Sequence, residues 1–285
     1  MRLRMKLLMH VCCAPCSVYC IETLRKEGIE PTLYWYNPNI HPFTEYKARR
    51  DCLIEYAKKI NIKLIIEEEY GLEEFCKNTI NNLQSSCADY CYPIRLRKTF
   101  EYAKENGYDA VSTTLLYSIY QKHDFIKNYC KKLSNEFGIE FLYRDFRVGF
   151  WEGHEKAKEA GLYMQKYCGC VFSEESRYNN PNSTKPELPT GFKLIKRSPL
   201  EVKKIADIEI VNKILQEKDN GKPAQIANLE DFDIYGIKIE DEILSLAIIS
   251  HISTKEVEIK ELITRKEYRH QGFGTKLLKQ IVRKL

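Results

Sequence analysis

The sequence contains no apolar run that approaches the ~20 residues needed to cross a bilayer. The apolar stretch in its opening segment, residues 1–10, is too short for the core of a signal peptide. The sequence also contains no internal repeat and no low-complexity tract. These absences argue against a membrane-spanning protein and a repeat array, and they predict a cytoplasmic protein with no membrane partner.

The composition is that of a folded protein, with 44% hydrophobic and 30% charged residues in a chain of 285. This length is natural for two domains. A stretch rich in proline, asparagine and serine begins at Asn179 and ends at Gly191, which is typical of a linker. We therefore predict a main domain over residues 1–178, a linker over 179–191 and a smaller domain over 192–285.

Strand and helix patterns alternate through the first part of the chain. Strands are predicted over residues 6–11, 31–36, 64–67, 109–113 and 139–143, and helices over 17–26, 45–60, 72–83, 94–105, 120–137 and 153–163. This alternation predicts an α/β fold, a parallel sheet with helices on both faces. In such folds the functional groups lie in the loops after the carboxyl ends of the strands.

Eleven cysteines in a chain without a secretion signal indicate metal or redox chemistry rather than disulfides. Seven of them fall in three short segments: Cys12, Cys13 and Cys16, then Cys87 and Cys91, then Cys168 and Cys170. Thiolates select zinc, copper(I) or iron–sulfur clusters. A closed zinc site needs only four ligands, so seven thiols suggest a cluster with a second metal or reactive thiols beside it. The choice of cluster ligands among the seven stays open.

The other four cysteines, Cys20, Cys52, Cys76 and Cys130, lie in predicted helices, and we expect them to be core or surface residues.

Two further residues near these segments are candidates for proton transfer. Asp89 stands between Cys87 and Cys91, where its carboxylate is expected to ligate iron or pass a proton; the alternative is that it caps the helix beginning near Ile94. His41 stands in a loop rich in asparagine and proline, and is a candidate for proton transfer or substrate contact, with a structural role as the alternative.

The net charge of +5 and the nineteen tyrosines fit a nucleic-acid partner. An ordinary lysine-rich surface is the alternative. Basic side chains near the cysteine segments are candidates for contacts with phosphates, and two tyrosines beside Cys91 are candidates for stacking on a base. These residues are Arg49, Arg50, Arg95, Arg97, Lys98, Tyr90 and Tyr92.

Several motifs occur together in the first ~178 residues. They are His10-Val11-Cys12-Cys13-Ala14-Pro15-Cys16, Tyr36-Asn37-Pro38-Asn39-Ile40-His41-Pro42, Cys87-Ala88-Asp89-Tyr90-Cys91-Tyr92, Ser112-Thr113-Thr114-Leu115-Leu116, Asp145-Phe146-Arg147 and Tyr163-Met164-Gln165-Lys166-Tyr167-Cys168-Gly169-Cys170. In this order they resemble the QueH family of epoxyqueuosine reductases. The resemblance implies a Rossmann-like (HUP) α/β fold and a reductase that removes the epoxide oxygen of epoxyqueuosine in tRNA, with an external electron donor.

The same resemblance implies a [4Fe–4S] cluster and an additional mononuclear iron. The seven thiols named above are the expected cofactor ligands, Asp89 joins them as a metal ligand, and Cys13, Asp89 and His41 are the expected catalytic residues. Two alternatives remain at this point: a zinc-stabilised RNA-binding module without catalysis, and a thiol-based tRNA sulfur-transfer enzyme. Against the latter, the sequence has no glycine- or serine-rich nucleotide loop. The sequence makes no prediction of the oligomeric state.

After the linker we expect a helix over residues 202–218, strands over 233–239, 243–251 and 257–264, a glycine turn and a final helix. Residues 269–275, with Arg269, Gly272 and Gly274, resemble the pyrophosphate loop of GNAT acetyltransferases, which implies backbone contacts to coenzyme A. The chain ends at Leu285, inside the helix after this loop, so we expect an incomplete α+β domain that does not use acetyl-CoA.

Overall fold

The computed structural model describes residues 5–81, 85–179, 186–193, 202–217, 226, 231–239, 242–253, 256–269 and 271–283. The chain divides into two compact units, Met1–Glu187 and Leu188–Leu285. The division falls within the stretch predicted as a linker, whose residues 180–185 lie outside the described ranges. Across the described ranges, no helix combines the length and the apolar character needed to span a membrane.

The first unit contains one parallel sheet of five strands in the order β3-β2-β1-β4-β5. The strands are β1 (Leu7–His10), β2 (Thr32–Trp35), β3 (Leu64–Ile66), β4 (Ala110–Thr113) and β5 (Glu140–Phe141). This is the strand order of Rossmann-like doubly wound folds, so the predicted fold class is confirmed. All residues of β1 and β4 are buried, because helices cover a parallel sheet on both faces.

The described residues of this unit form seven α-helices. They are α1 (Ala14–Lys26), α2 (Phe43–Lys59), α3 (Leu72–Thr79), α4 (Tyr92–Glu105), α5 (His123–Phe137), α6 (Phe150–Glu159) and α7 (Val171–Tyr178). Helix α1 packs against α2 and α6, whereas α4 packs against α5 and against strands β1 and β4. Right-handed crossovers place these two groups on opposite faces of the sheet.

The structure corrects several predicted boundaries in this unit. Helix α1 begins at Ala14 rather than at residue 17, because Cys13 caps it and Pro15 suits its first turn. Residues Cys87–Cys91, predicted as a loop, form a π-helical turn that runs directly into α4. The helix predicted over 153–163 is shifted to α6, and α7 was not predicted.

The described residues of the second unit form an antiparallel sheet of four strands in the order β6-β7-β8-β9, with two α-helices. Its elements are β6 (Val202–Lys204), α8 (Ile208–Gln216), β7 (Asp233–Ile239), β8 (Glu242–Ser253), β9 (Glu256–Thr264) and α9 (Phe273–Val282). The apolar residues of α8 and α9 pack into two separate clusters with the sheet. The α+β prediction is confirmed, but the single helix predicted over 202–218 is wrong, because its first residues pair with β7 as a strand.

Candidate metal centre

The centre lies at the switch point of the parallel sheet. Strands β1 and β4 are neighbours, with His10 opposite Thr113, and the chain leaves them toward opposite edges of the sheet. This arrangement opens a crevice at the carboxyl ends of the two strands, where doubly wound folds bind their ligands. Cys12 follows β1 and Thr114 follows β4. The Cys12 backbone N–H donates to Thr114 Oγ1 at 3.2 Å, and the Thr114 hydroxyl lies 3.5 Å from Cys12 Sγ.

Cys12, Cys13 and Cys16 form the first group of thiols, which we call the triad. Their Sγ atoms all lie within 4.8 Å of one another, and those of Cys12 and Cys13 are 3.8 Å apart. Cys13 is the N-cap of α1, and its Sγ accepts a hydrogen bond from the Cys16 backbone N–H at 3.4 Å. The helix start therefore folds Cys16 back over the two preceding thiols, and a helix N-terminus stabilises thiolate charge.

The three thiols are not equivalent electrostatically. Hydrogen bonds from Cys13 and Cys16 hold the pKa of the Cys12 thiol well below its ordinary value. Burial raises the pKa of the Cys13 thiol, and hydrogen bonding to Cys12 raises that of Cys16. Negative charge is thus concentrated on Cys12, the one member of the triad that is only half-buried.

Cys87, Cys91, Cys168 and Cys170 form the second group, which we call the quartet. The thiol of Cys91 hydrogen-bonds with both Cys87 and Cys170, and Cys168 interacts electrostatically with the same two residues. The hydrogen bond with Cys91 lowers the pKa of Cys170 to about 6, whereas burial raises the pKa of Cys168 to about 11. The π-helical turn and the loop before α7 thus bring Cys91 next to Cys87 and Cys170, and place Cys168 where it interacts electrostatically with the last two.

Two buried arginines hold the quartet segments in place. Arg49 donates from Nη1 to the Cys168 carbonyl at 2.7 Å and from Nη2 to the Tyr167 carbonyl at 3.0 Å, and its Nε bonds the Glu45 carboxylate at 2.7 Å. Arg95 donates from Nε to the Cys91 carbonyl at 2.6 Å. Each arginine is only 1% exposed, so the prediction that they contact tRNA phosphates is wrong for this structure. They position cysteines instead.

The other predicted tRNA contacts have different surroundings. Arg50 pairs with Asp51 and Glu68, and Arg97 makes a two-pronged ion pair with Glu136. Lys98 is exposed on α4. Tyr90 packs against Phe75, and the Tyr92 hydroxyl donates to Gln121 Oε1 at 2.7 Å.

Because Tyr90 is 9% and Tyr92 2% exposed, neither ring is available for stacking on a base here. The predictions for Arg50, Arg97 and Lys98 remain predictions.

The carboxylate of Asp89 is exposed and accepts a hydrogen bond from Ser85. Asp89 does not cap α4, because Cys91 precedes that helix without a side-chain cap, so the capping alternative is wrong. His41 is buried: its backbone bonds Gly169 and Tyr167, and its ring lies against Phe75 at 4.5 Å between centroids. Burial lowers the pKa of His41 to about 4, so its imidazole is neutral at pH 7.

Three residues that the site prediction missed contact the thiols or their strands. Gln165 donates from Nε2 to Cys13 Sγ at 2.8 Å and to Cys16 Sγ at 3.3 Å, and Gln121 donates to Cys168 Sγ at 3.3 Å. His10 lies between Thr113 Oγ1 and the Tyr36 carbonyl, and burial with Arg95 nearby lowers its pKa to about 3. His10 and Gln165 stand inside the sequence motifs quoted above, which was the available signal.

In the second unit, Gly272 is the N-cap of α9 and has a left-handed backbone conformation, with φ of 80°. A Cβ at Gly274 would lie 3.3 Å from Thr264 Oγ1, so the loop passes close to β9. Arg269 donates from Nε to the Thr264 carbonyl at 2.9 Å and lines a cavity of about 230 Å³ with Leu262 and Ile263. Coenzyme A contacts at this loop remain a prediction.

Comparison with known proteins agrees with the two units. The family model described as epoxyqueuosine reductase QueH matches residues 7–176, and that of the acetyltransferase (GNAT) family matches residues 204–285. The chain is 38% identical over 178 residues to epoxyqueuosine reductase QueH of Dehalococcoides mccartyi, covering 62% of this chain and 97% of the relative. It is 34% identical over 175 residues to the protein of the same description from Thermotoga maritima, covering 58% and 88%.

Among solved structures, the U34-tRNA thiolase NcsA from Methanococcus maripaludis with its [4Fe–4S] cluster overlaps 64% of this chain and 69% of its own. The identity is 17% and the TM-score 0.39, which is too low to support a conclusion.

A doubly wound α/β domain with three close thiols after β1, at its switch point, defines a protein of the Rossmann-like class with a candidate thiolate metal site. Within that class, the chain belongs to the epoxyqueuosine reductase QueH family, and it carries a GNAT domain after the reductase domain. The predicted activity, an oxidoreductase of queuosine biosynthesis, is confirmed by this membership. The two alternative functions are therefore set aside.

Proposed function

We propose that the triad holds a [4Fe–4S] cluster and the quartet a single iron, and that the chain uses them to deoxygenate epoxyqueuosine in tRNA. The observation that carries this proposal is that Cys12, Cys13 and Cys16 form one compact group of thiols, whereas the four quartet cysteines interact with one another. Both donor sets consist of sulfur alone, which fits iron–sulfur chemistry and not hard cations.

The triad suits a catalytic cluster because it supplies one ligand fewer than four irons require. A metal that keeps an open position can bind substrate, whereas a fully ligated metal cannot. The triad also lies in the crevice between β1 and β4, and Cys12 is partly accessible there. Both observations favour substrate binding at the triad.

The quartet suits a closed site because Cys91 and Cys170 are buried, Cys91 bonds Cys87 and Cys170, and Cys168 interacts electrostatically with the same two residues. Four sulfurs around one metal are typical of zinc or of a single iron. Phe75, Tyr90 and Phe172 pack around Cys91 and Cys170 and exclude water from them. Metal analysis of the reconstituted chain distinguishes the proposed iron from zinc at this site.

Reduction of the epoxide takes up two electrons and two protons, forms the alkene and releases the oxygen as water. A cluster held by Cys12, Cys13 and Cys16 would supply electrons singly and an open metal position that polarises the C–O bond. Electrons enter from an external one-electron donor.

Among the predicted catalytic residues, Cys13 serves as a cluster ligand that caps α1. Asp89 is the preferred proton carrier because its carboxylate is exposed beside two quartet cysteines, with Ser85 orienting it. His41 is a weaker candidate, since its neutral ring packs among aromatic side chains.

The test combines metal analysis with turnover. Anaerobically reconstituted protein should contain about five irons and about four sulfides per chain. With dithionite it should convert epoxyqueuosine-containing tRNA to queuosine-containing tRNA, seen as the loss of one oxygen in nucleoside mass analysis. Cys12→Ala should lose the sulfide and all activity, whereas Cys87→Ala should lose about one iron and keep the sulfide.

Cys76→Ala is the control, because Cys76 is an exposed thiol on α3 outside both groups. Sulfide retained in Cys12→Ala but lost in Cys87→Ala would contradict the assignment, and zinc in place of iron would contradict the proposed redox role of the quartet.

A further inference from the structure

Each thiol group receives hydrogen bonds from one glutamine amide. Gln165 Nε2 lies 2.8 Å from Cys13 Sγ and 3.3 Å from Cys16 Sγ, and so serves the triad. Gln121 Nε2 lies 3.3 Å from Cys168 Sγ and serves the quartet. We infer that Gln165 sets the reduction potential of the cluster held by the triad through its N–H···S hydrogen bonds, an inference that rests on the proposed function.

Gln165 is held by its neighbours in the segment before α7. The Tyr163 hydroxyl donates to the Glu45 carboxylate, and the Tyr167 hydroxyl donates to the His41 carbonyl at 3.0 Å. These bonds fasten the chain two residues before and two residues after Gln165. The amide is therefore presented to the triad by a segment attached on both sides, as a preorganised donor requires.

The amide of Gln165 also leaves one atom unused. Its Oε1 is buried and has no hydrogen-bond partner among the described residues. A buried polar atom without a partner costs free energy, and an apolar side chain of similar length would avoid that cost. The contacts that favour glutamine at this position are the two N–H···S bonds from Nε2. We take donation to the thiols to be the role of this side chain.

Hydrogen bonds to ligand sulfurs stabilise the electron-rich reduced form of a cluster more than the oxidised form, and so they raise its reduction potential. Two sulfurs of the three receive such bonds from Gln165. Because the reaction requires the cluster to take electrons from a donor, a higher potential makes that step more favourable. Gln165 is thus a positioning residue that acts through the cluster and not on the substrate.

Gln121 provides a matched control. It is the same side chain with the same type of bond, but to a quartet sulfur, and its Oε1 accepts from the Tyr92 hydroxyl at 2.7 Å. Replacing it removes an N–H···S bond without touching the triad.

The experiment is a redox titration of the reconstituted full chain, followed by the electron paramagnetic resonance signal of the reduced cluster. Gln165→Met removes the donor and should shift the cluster potential to a more negative value with iron and sulfide contents as in the wild type. Gln165→Glu removes the donor and adds negative charge, so its shift should be larger. Gln121→Met should leave the cluster potential unchanged. Cys12→Ala, measured in parallel for sulfide content, reports separately on whether the triad holds the cluster.

An unchanged potential in loaded Gln165→Met and Gln165→Glu would overturn the inference and leave the proposed function standing. A shift in Gln121→Met alone, with sulfide retained in Cys12→Ala, would overturn both. If neither Gln165 variant takes up the cluster while Gln121→Met does, the role of Gln165 is structural and the inference fails.

Discussion

The triad and the quartet use the same ligand atom but are assembled by different means. The three triad cysteines lie in one continuous segment, which runs from the end of β1 into the first turn of α1. The quartet comes from two segments far apart in the chain, and Arg49 and Arg95 tie those segments to α2 and α4. A local site depends on backbone geometry within a few residues, whereas a long-range site depends on the packing that joins its parts.

Replacement of Arg49 should give the largest difference between the two groups. Arg49→Met removes the bonds to the Cys168 and Tyr167 carbonyls and leaves the buried Glu45 carboxylate without its cation. Removal of one partner from a buried ion pair costs about 3–5 kcal/mol of unfolding free energy. Urea unfolding of the metal-free chain, monitored by tryptophan fluorescence, measures this loss of unfolding free energy. The signal reports on the first unit because both tryptophans, Trp35 and Trp151, lie there.

Iron at the quartet should be lost in the same variant while the triad keeps its sulfide. Arg50→Met is the control, since Arg50 makes only partly exposed ion pairs and its loss should cost less than about 0.5 kcal/mol. Equal destabilisation by both variants, or loss of sulfide with Arg49, would remove the distinction between the two groups.

His41 should make the first unit less stable in acid. Its backbone N–H bonds the quartet loop at Gly169, and its imidazole packs against the rings of Tyr70 and Phe75, where a positive charge is poorly solvated. Burial lowers its pKa from 6.5 to about 4. Between these values the unfolded chain binds a proton and the folded chain does not, so stability falls as the pH decreases. The loss amounts to at most about 3 kcal/mol across this window.

His41→Phe should therefore show a smaller decrease in unfolding free energy between pH 7 and pH 5 than the wild type, measured by urea unfolding of the metal-free chain. A comparison at pH 8, where the imidazole is neutral in both states, isolates the packing effect of the new ring. Parallel pH dependences for the two proteins would show that His41 makes no such contribution.

Replacement of Gly169 should destabilise the chain less than replacement of Arg49, and its effect on metal binding should be confined to the quartet. It separates Cys168 from Cys170 with φ of 151°, and a Cβ there would lie 3.0 Å from Ile40 Cγ1. Gly169→Ala should cost about 1–3 kcal/mol and weaken iron binding at the quartet. Gly161→Ala, at a positive φ with open space around it, should destabilise the chain without changing the iron content. Equal iron contents in the two variants would contradict this prediction.

The smallest effect should fall on substrate binding rather than on either thiol group. Lys98 is exposed on α4, whose first turn begins at the quartet. If it contacts a phosphate, Lys98→Glu should weaken tRNA binding several-fold and reduce the slope of log affinity against log salt by about 1. Lys26→Glu, at the far end of α1, is the control. Filter binding at several salt concentrations measures both, and similar losses would contradict a specific role for Lys98.

Sequence patterns predicted the sheet well because its strands are short, begin with apolar residues in β1 and β4, and are separated by helices of ordinary length. They failed where a boundary depends on a cap or on pairing: Cys13 starts α1 early, and Val202 joins a strand because β7 lies beside it. The expectation that Arg49 and Arg95 contact tRNA was the clearest error. Arginine near a nucleic-acid site is usually exposed, but carbonyls of the cysteine segments bind Arg49 and Arg95 inside the protein.

The amino-acid sequence by itself determined the chemistry of this protein, since the short spacing of Cys12, Cys13 and Cys16 keeps their thiols close at the start of α1. Only the tertiary structure decided that the remaining four thiols form a separate group and that buried arginines and glutamines serve them. The physical reason is the separation of the residues along the chain. Contacts within a helical turn follow from backbone geometry, whereas contacts between distant segments depend on how the sheet and its helices pack.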